Sequence, residues 1–199
     1  MWRKMIKAVI FDCFGVIITD GLQVVMRELD KTNPEARAYI EPYLHRAMRG
    51  QISFQEYRQA VAKYLNIPAE DWSAEIKSHE YKDPKVMDLI KSLRPKYKTG
   101  MLSNVNKSGI ERRFSPEELK ECFDDVVVSA EVGLIKPNPE IYCLAAQRLG
   151  VDPKECVFID DIERYCQAAA GVGMKAIYYQ GFGQMKTELE EILAASSDN

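Results

Sequence analysis

Apolar residues gather along this chain in five short runs: Met5 to Phe11, Thr99 to Leu102, Val126 to Val128, Cys156 to Ile159, and Lys175 to Tyr179. Short continuous runs, without polar alternation, are what strands buried on both faces require. Helical patterns separate most of them, so a mostly parallel sheet covered by helices on both sides is the economical arrangement. Several helix starts are marked by their chemistry. Asp83-Pro84 and Asn138-Pro139 each set a capping side chain before a proline at the first helical position. Ser115-Pro116-Glu117-Glu118 and Ser53-Phe54-Gln55-Glu56 are capping boxes. The second follows Gly50, which is expected to close the preceding helix. The last helix is expected from about Gln184 to Ala194, with Leu189, Ile192 and Leu193 on its apolar side and Ser196 to Asn199 frayed beyond it.

One stretch breaks this alternation. From Asp20 to Lys82 no strand-like run occurs, and apolar positions such as Leu29, Tyr39-Ile40, Tyr43-Leu44, Met48 and Phe54 through Leu65 fall among charges. An all-helical stretch between the first strand and the second predicts an insertion packed above the sheet. It would lie over the carboxyl end of the first strand, where open α/β sheets bind ligands.

Composition narrows the options. The chain has 199 residues, 46% of them hydrophobic, which suits one domain with a full core or one domain carrying a small inserted module. Its formal net charge of −3 gives no electrostatic reason to expect nucleic acid or an anionic membrane as partner. No apolar run approaches a membrane span. The stretch Ala8-Val9-Ile10-Phe11 after Trp2-Arg3-Lys4 is too short for an export signal and reads as a strand. Five cysteines (Cys13, Cys122, Cys143, Cys156 and Cys166) show no C-x-x-C spacing, which speaks for reduced thiols in a cytoplasmic protein. Cys13, beside Asp12, is read as a small apolar residue.

Candidate chemistry collects at strand ends. The first run ends at Asp12, the second at Ser103-Asn104, and the fourth at Asp160-Asp161. In a doubly wound sheet these ends face one crevice. The surrounding residues resemble the motifs of the haloacid dehalogenase-like (HAD) hydrolases. Val9-Ile10-Phe11-Asp12-Cys13-Phe14-Gly15-Val16-Ile17 looks like the first motif, and Gly100-Met101-Leu102-Ser103-Asn104 like the second. Gly133-Leu134-Ile135-Lys136-Pro137, with Pro139-Glu140-Ile141-Tyr142, looks like the lysine motif. Val157-Phe158-Ile159-Asp160-Asp161, with Ala168-Ala169 and Gly171, looks like the fourth. The motifs occur in family order and bracket nearly the whole chain. The helical insertion resembles the small cap that members carry after the first motif. The expected fold is therefore α/β: a Rossmann-like, mainly parallel core over residues 1–18 and 82–199, with a small all-helical cap over 19–81. The connections at Ile18–Asp20 and Tyr81–Asp83 are the expected hinges.

The resemblance implies an Mg²⁺-dependent phosphatase acting on a small phosphomonoester through an aspartyl-phosphate. Asp12 is the expected nucleophile, since a carboxylate ionised at neutral pH can attack phosphorus. Asp160 and Asp161 add negative charges that cannot all ionise beside Asp12 without a cation. A hard ion with oxygen ligands fits, and Mg²⁺ beside a phosphate is the usual solution. The resemblance makes Asp161 a direct metal ligand with Asp160 beside it, joined by Asp12 and the Phe14 carbonyl. Ser103 and Asn104 are expected to meet phosphate oxygens, as are the backbone N–H groups of Phe14 and Gly15. The Lys136 ammonium is expected to neutralise the transferring group. A plain turn or helix cap is the alternative role for Asp12 and for Asp161.

The pattern departs from the family at Phe14. Many phosphatases of the family carry a second aspartate there, which protonates the leaving group and then activates water. A positioned acid–base contributes roughly 10²–10⁴-fold. Its absence leaves two alternatives open: a 2-haloacid dehalogenase, whose first motif can carry an aromatic at this place, or a weakly catalytic phosphate-binding module. The paired aspartates favour phosphoryl transfer, which needs a metal, over halide displacement. In the cap, Tyr43, Arg46, Arg49, Tyr57 and Arg58 could meet a substrate, while His45 and His79 read as surface histidines.

Overall fold

The structure, a computed structural model, describes residues 5–197; Trp2 and the end of the expected frayed tail lie outside them. The chain opens with strand β1 (Ala8–Phe11). Four helices follow: α1 (Gly21–Thr32), α2 (Ala36–Met48), α3 (Phe54–Leu65) and α4 (Ala69–Ser78). Then come α5 (Pro84–Leu93), β2 (Lys98–Ser103), α6 (Lys107–Glu111), α7 (Pro116–Cys122), β3 (Asp125–Val128), α8 (Ser129–Val132) and α9 (Pro139–Arg148). The chain ends with β4 (Cys156–Asp160), α10 (Glu163–Gly171), β5 (Lys175–Tyr178) and α11 (Phe182–Ser197). All five strands pair in parallel, in the order β3-β2-β1-β4-β5.

The two faces of the sheet explain the continuous apolar runs. Val9 and Phe11 point to one side, with Met101, Val157, Ile159 and Ile177, and meet α5 and α11. Ala8 and Ile10 point to the other, with Leu102, Val127 and Phe158, and meet α9 and α10. Each strand alternates faces, but both faces are covered, so polar positions have no place within it. β1 is shorter than its apolar run, and Ile6 is buried ahead of it. Asp83, Ser115 and Asn138 cap α5, α7 and α9 as expected, each with proline in the first turn. Ser53 forms its capping box with Glu56, and Gly50, with φ +70°, follows the end of α2. α11 runs longer than expected at both ends and takes in Ser196 and Ser197. No helix among the described residues is long and apolar enough to cross a membrane.

The four inserted helices have a core of their own, built on Val25, Met26, Ile40, Ala47, Tyr57, Val61 and Trp72. Their two connections to the sheet run side by side. Ile18 and Lys82 form an antiparallel bridge, the Thr19 N–H donates to the Tyr81 carbonyl at 3.0 Å, and the Asp83 N–H donates to Ile17 at 2.9 Å. Contact with the sheet half recurs at α8, where the Ser129 hydroxyl donates to the Met48 carbonyl at 2.6 Å. Gly50 passes so near that an added Cβ would lie 2.3 Å from the Ala130 carbonyl oxygen.

Candidate active site

With β1 central and β2 and β4 on either side, Asp12, Ser103 and Asp160 emerge at one edge of the sheet, beside the point where strand order reverses. Lys136 reaches the same spot from the loop before α9. Its ammonium lies 2.8 Å from Asp12 Oδ1 and 2.6 Å from Asp160 Oδ2, and its side chain is 1% exposed. The Phe158 and Tyr165 rings flank that ammonium at 5.5 and 5.1 Å.

Asp12, Asp160 and Asp161 each offer an oxygen within 4.8 Å of the others. Three carboxylates, Asp12 and Asp160 buried and Asp161 partly so, against one ammonium leave two surplus negative charges, the deficit a divalent cation would fill. Asp161 shows where strain from that surplus falls. Its Oδ1 is buried without a hydrogen-bond partner among the described residues. Burial first, then Asp160 and Asp20, push its carboxyl up to about 6. Burial likewise raises Asp12, Asp160 and Asp161 add to the rise, and Lys136 opposes it. Burial works against the Lys136 ammonium, yet Asp12 and Asp160 outweigh it and hold the proton more firmly than on a free lysine. The acidic oxygens, their spacing and the orphaned Asp161 Oδ1 fit Mg²⁺.

The turn after Asp12 is tight. Gly15 has φ +96°, and a Cβ there would lie 2.2 Å from the Asp161 carboxyl carbon, so only glycine lets the carboxylate come close. The Gly15 N–H is not free for a phosphate as expected, because the turn commits it to the Ile18 carbonyl at 2.6 Å. The Phe14 N–H makes no hydrogen bond among the described residues. Two more expectations change. Asn104 does not point a free amide at the site: its Oδ1 accepts from the Lys136 N–H at 2.9 Å, and its Nδ2 donates to the Lys136 carbonyl at 3.1 Å. It therefore pins the lysine loop, whereas the Ser103 hydroxyl, on the cavity wall, makes no hydrogen bond among the described residues. The Ile162 N–H, just ahead of α10, donates to Asp160 Oδ1 at 2.8 Å, and no side chain caps the helix itself, so Asp161 does not take the capping role.

Phe14 lies under the Arg113 guanidinium, 4.8 Å from ring centre to Cζ. Arg113 is gripped by both oxygens of Glu80, at the end of the inserted helices. At the position where many phosphatases of the resembled family carry an acid–base aspartate, an aromatic ring lies beneath an ion pair. Cys13 is fully buried, and burial followed by Asp12 raises its thiol far above its usual value, in keeping with an inert side chain.

A cavity of about 380 Å³ opens from Asp12 and Ser103 up to the inserted helices. Of the helical residues nominated from sequence, Tyr57 and Arg58 line it, while Tyr43 packs on Tyr39 with ring centres 5.3 Å apart. His45, read as a surface residue, is exposed but also lines the cavity; His79 pairs with Glu75 at 3.2 Å. Asp20, Glu80, Arg112, Arg113 and Tyr165 also line it and had not been foreseen.

The haloacid dehalogenase-like hydrolase profile matches residues 6–173. Mouse acyl-CoA dehydrogenase family member 10 is 27% identical over 94% of this chain, which spans only 19% of that protein's length. The putative phosphatase YhcW of Bacillus subtilis is 26% identical over 87% of the chain and 83% of its own. Among solved structures, a HAD family enzyme from Bacteroides thetaiotaomicron superposes with a TM-score of 0.78 at 23% identity, covering 93% of this chain and 99% of that one. The same enzyme has been crystallised with magnesium and inorganic phosphate. L-2-haloacid dehalogenase from Xanthobacter autotrophicus superposes with a TM-score of 0.64 at 23% identity, over 94% of this chain and 83% of that one.

Proposed function

Because the chain belongs to the haloacid dehalogenase-like hydrolases, we propose that it hydrolyses a small phosphate monoester with Mg²⁺ as cofactor and Asp12 as nucleophile. The observation that carries this reading is the surplus of two negative charges in the partly buried trio of Asp12, Asp160 and Asp161, with Asp161 Oδ1 left without a partner among the described residues. Halide displacement from carbon has no use for such a surplus, whereas phosphoryl transfer does. Asp12, Asp161 and the Phe14 carbonyl would hold the ion, with Asp160 behind them. When bound, Mg²⁺ supplies positive charge to the phosphoryl oxygens.

The chain's own groups do the rest. An Asp12 oxygen forms a bond to phosphorus as the ester P–O bond breaks. The leaving oxygen departs with the electron pair and takes a proton from water, since Phe14 has none to give. A second water then attacks phosphorus, breaks the bond to Asp12 and releases phosphate, restoring the carboxylate. Lys136 holds Asp12 in place and offsets charge on the transferring group. Asn104 and Tyr165 fix the lysine in turn, and the Ser103 hydroxyl and Phe14 N–H face the phosphate. Residues 19–81 act as a cap that shuts water out, moving on the paired connections at Ile18–Asp20 and Tyr81–Asp83.

Phe14 alone favours the dehalogenase reading. A paired assay separates the two: an aryl phosphate and a short 2-haloacid, each with Mg²⁺ and with chelator. Phosphate release that needs Mg²⁺ and disappears in Asp12→Asn is expected. Halide release without metal would sink the phosphatase reading.

A further inference from the structure

The cavity carries cationic charge that the phosphate chemistry leaves unused. Arg58 lines it from α3, and Arg112 lines it from the end of α6 in the sheet half. Neither has a carboxylate partner among the described residues. Arg58 donates only to the Ser73 hydroxyl at 3.2 Å, and Arg112 only to the Ser108 hydroxyl at 3.1 Å. The adjacent Arg113 monopolises Glu80 through a two-pronged bond. Of the other carboxylates on the upper cavity wall, Glu41 pairs with Arg37, and Asp20 makes no ion pair with Arg58 or Arg112. The crowding is felt at Arg112, where burial, then Arg113 and Arg58, lower the hold on its proton. Like charges gathered at a cavity wall without compensation are costly unless an anion completes them. Guanidiniums suit carboxylate and phosphate oxygens, which they can bind through paired N–H groups. Much of the wall between them and the helices is apolar, supplied by Leu22, Met26, Met48, Phe54 and Ile76. Such a wall suits a short organic frame and offers nothing to a long polar chain.

We propose that Arg58 and Arg112 form a second anion site, and that the substrate is a small phosphate ester bearing another anionic group, carboxylate or phosphate. This rests on the phosphatase reading for the first phosphate. Because one arginine stands on the inserted helices and the other on the sheet half, the distal anion bridges the two and draws them together over Asp12. Selectivity then arises from closure that only a doubly anionic substrate completes.

The test compares matched pairs at fixed Mg²⁺: 3-phosphoglycerate with glycerol 3-phosphate, and fructose 1,6-bisphosphate with fructose 6-phosphate. Wild-type protein should favour the doubly anionic member of at least one pair by about tenfold or more in kcat/KM, as expected for one charge-assisted contact. The pair that shows the preference tells carboxylate from phosphate. Arg58→Gln and Arg112→Gln should each cut the ratio to below about threefold, chiefly through KM, and the lysine variants should restore part of it. A ratio near one in both pairs overturns the proposal, as does an equal loss on both members of a pair. A binding arm removes dependence on turnover. In Asp12→Asn protein, the doubly anionic compound should raise Tm more than its partner, and Arg58→Gln in that background should abolish the difference. If no phosphate ester is turned over but the difference in Tm persists, the phosphatase reading falls and the anion site stands. If turnover is present and the shifts are equal, the anion site falls and the phosphatase reading stands.

Discussion

Replacing Lys136 by methionine removes a buried charge and little volume, so it isolates the electrostatic role of the lysine. Its ammonium sits 2.8 Å from Asp12 and 2.6 Å from Asp160, at 1% exposure. Without it, two buried carboxylates face each other with only the Ile162 and Cys13 N–H groups to meet them. Removing one partner of a buried ion pair typically costs about 3–5 kcal/mol. At roughly 2–4 °C per kcal/mol for a chain of this size, Tm should fall on the order of 10 °C. The lysine backbone stays clamped by Asn104, so the loss reports charge rather than an unravelled loop. The pH dependence has a definite sign. Burial, with Asp160 and Asp161, already raises Asp12 above the ordinary carboxylate range, and Lys136 opposes the rise. Without the lysine, Asp12 rises further. A carboxyl that binds its proton more tightly folded than unfolded destabilises as pH rises through that interval. The deficit of Lys136→Met is therefore largest at neutral pH and shrinks on acidification. Chemical unfolding in chelator between about pH 5 and 8 measures it. A variant within about 1 kcal/mol of wild type at neutral pH would refute the claim that this ammonium holds the carboxylates together.

The remaining expectations concern the acidic trio and the turn. Asp161 titrates at about 6, so the metal-free protein has this group's full stability below the ordinary carboxylate range and loses it as pH rises to about 6. The rise in Tm on adding Mg²⁺ should grow across that window and level off above it; a rise independent of pH would count against Asp161 as a ligand. Gly15→Ala meets both a positive φ and the Asp161 carboxylate, so it should cost about 1–3 kcal/mol and weaken Mg²⁺ binding, read by calorimetry. Unchanged affinity would mean the approach of Asp161 to the turn is incidental. Phe14→Asp should accelerate alkyl phosphates more than aryl phosphates, because poor leaving groups gain most from a proton donor. It should also lose about 0.5–1 kcal/mol of stability with the Arg113 stacking. A uniform fall in rate on both substrate classes would show that a proton donor is not what the site lacks.

What could be read from sequence divides along a physical line. Residues fixed by one element were legible. Asp12, Ser103 and Asp160 follow from where apolar runs stop, because a strand buried on both faces admits polar side chains only at its end. The lack of any such run between Asp20 and Lys82 is matched by four helices there, α1 to α4. Residues fixed by the meeting of two distant elements were not legible. Asn104 looked like a phosphate ligand because nothing local reveals that the Lys136 backbone lies against it. Asp160 and Asp161 are neighbours of one chemical type, and only the strand's direction decides which accepts from the Ile162 N–H and which keeps an oxygen bare. Gly15 signals a tight turn, but the bond from its N–H to Ile18 depends on how that turn closes. Glu80, Arg112 and Arg113 carry no periodic or motif signal, since their relation depends on how the inserted helices lie over the sheet. On the proposed reading, the reacting end of the cavity draws on the first group of residues, and the distal anion site draws on both. That is why the sequence points to a chemistry and nominates Arg58, while Arg112 comes into view only once it is found across the same space.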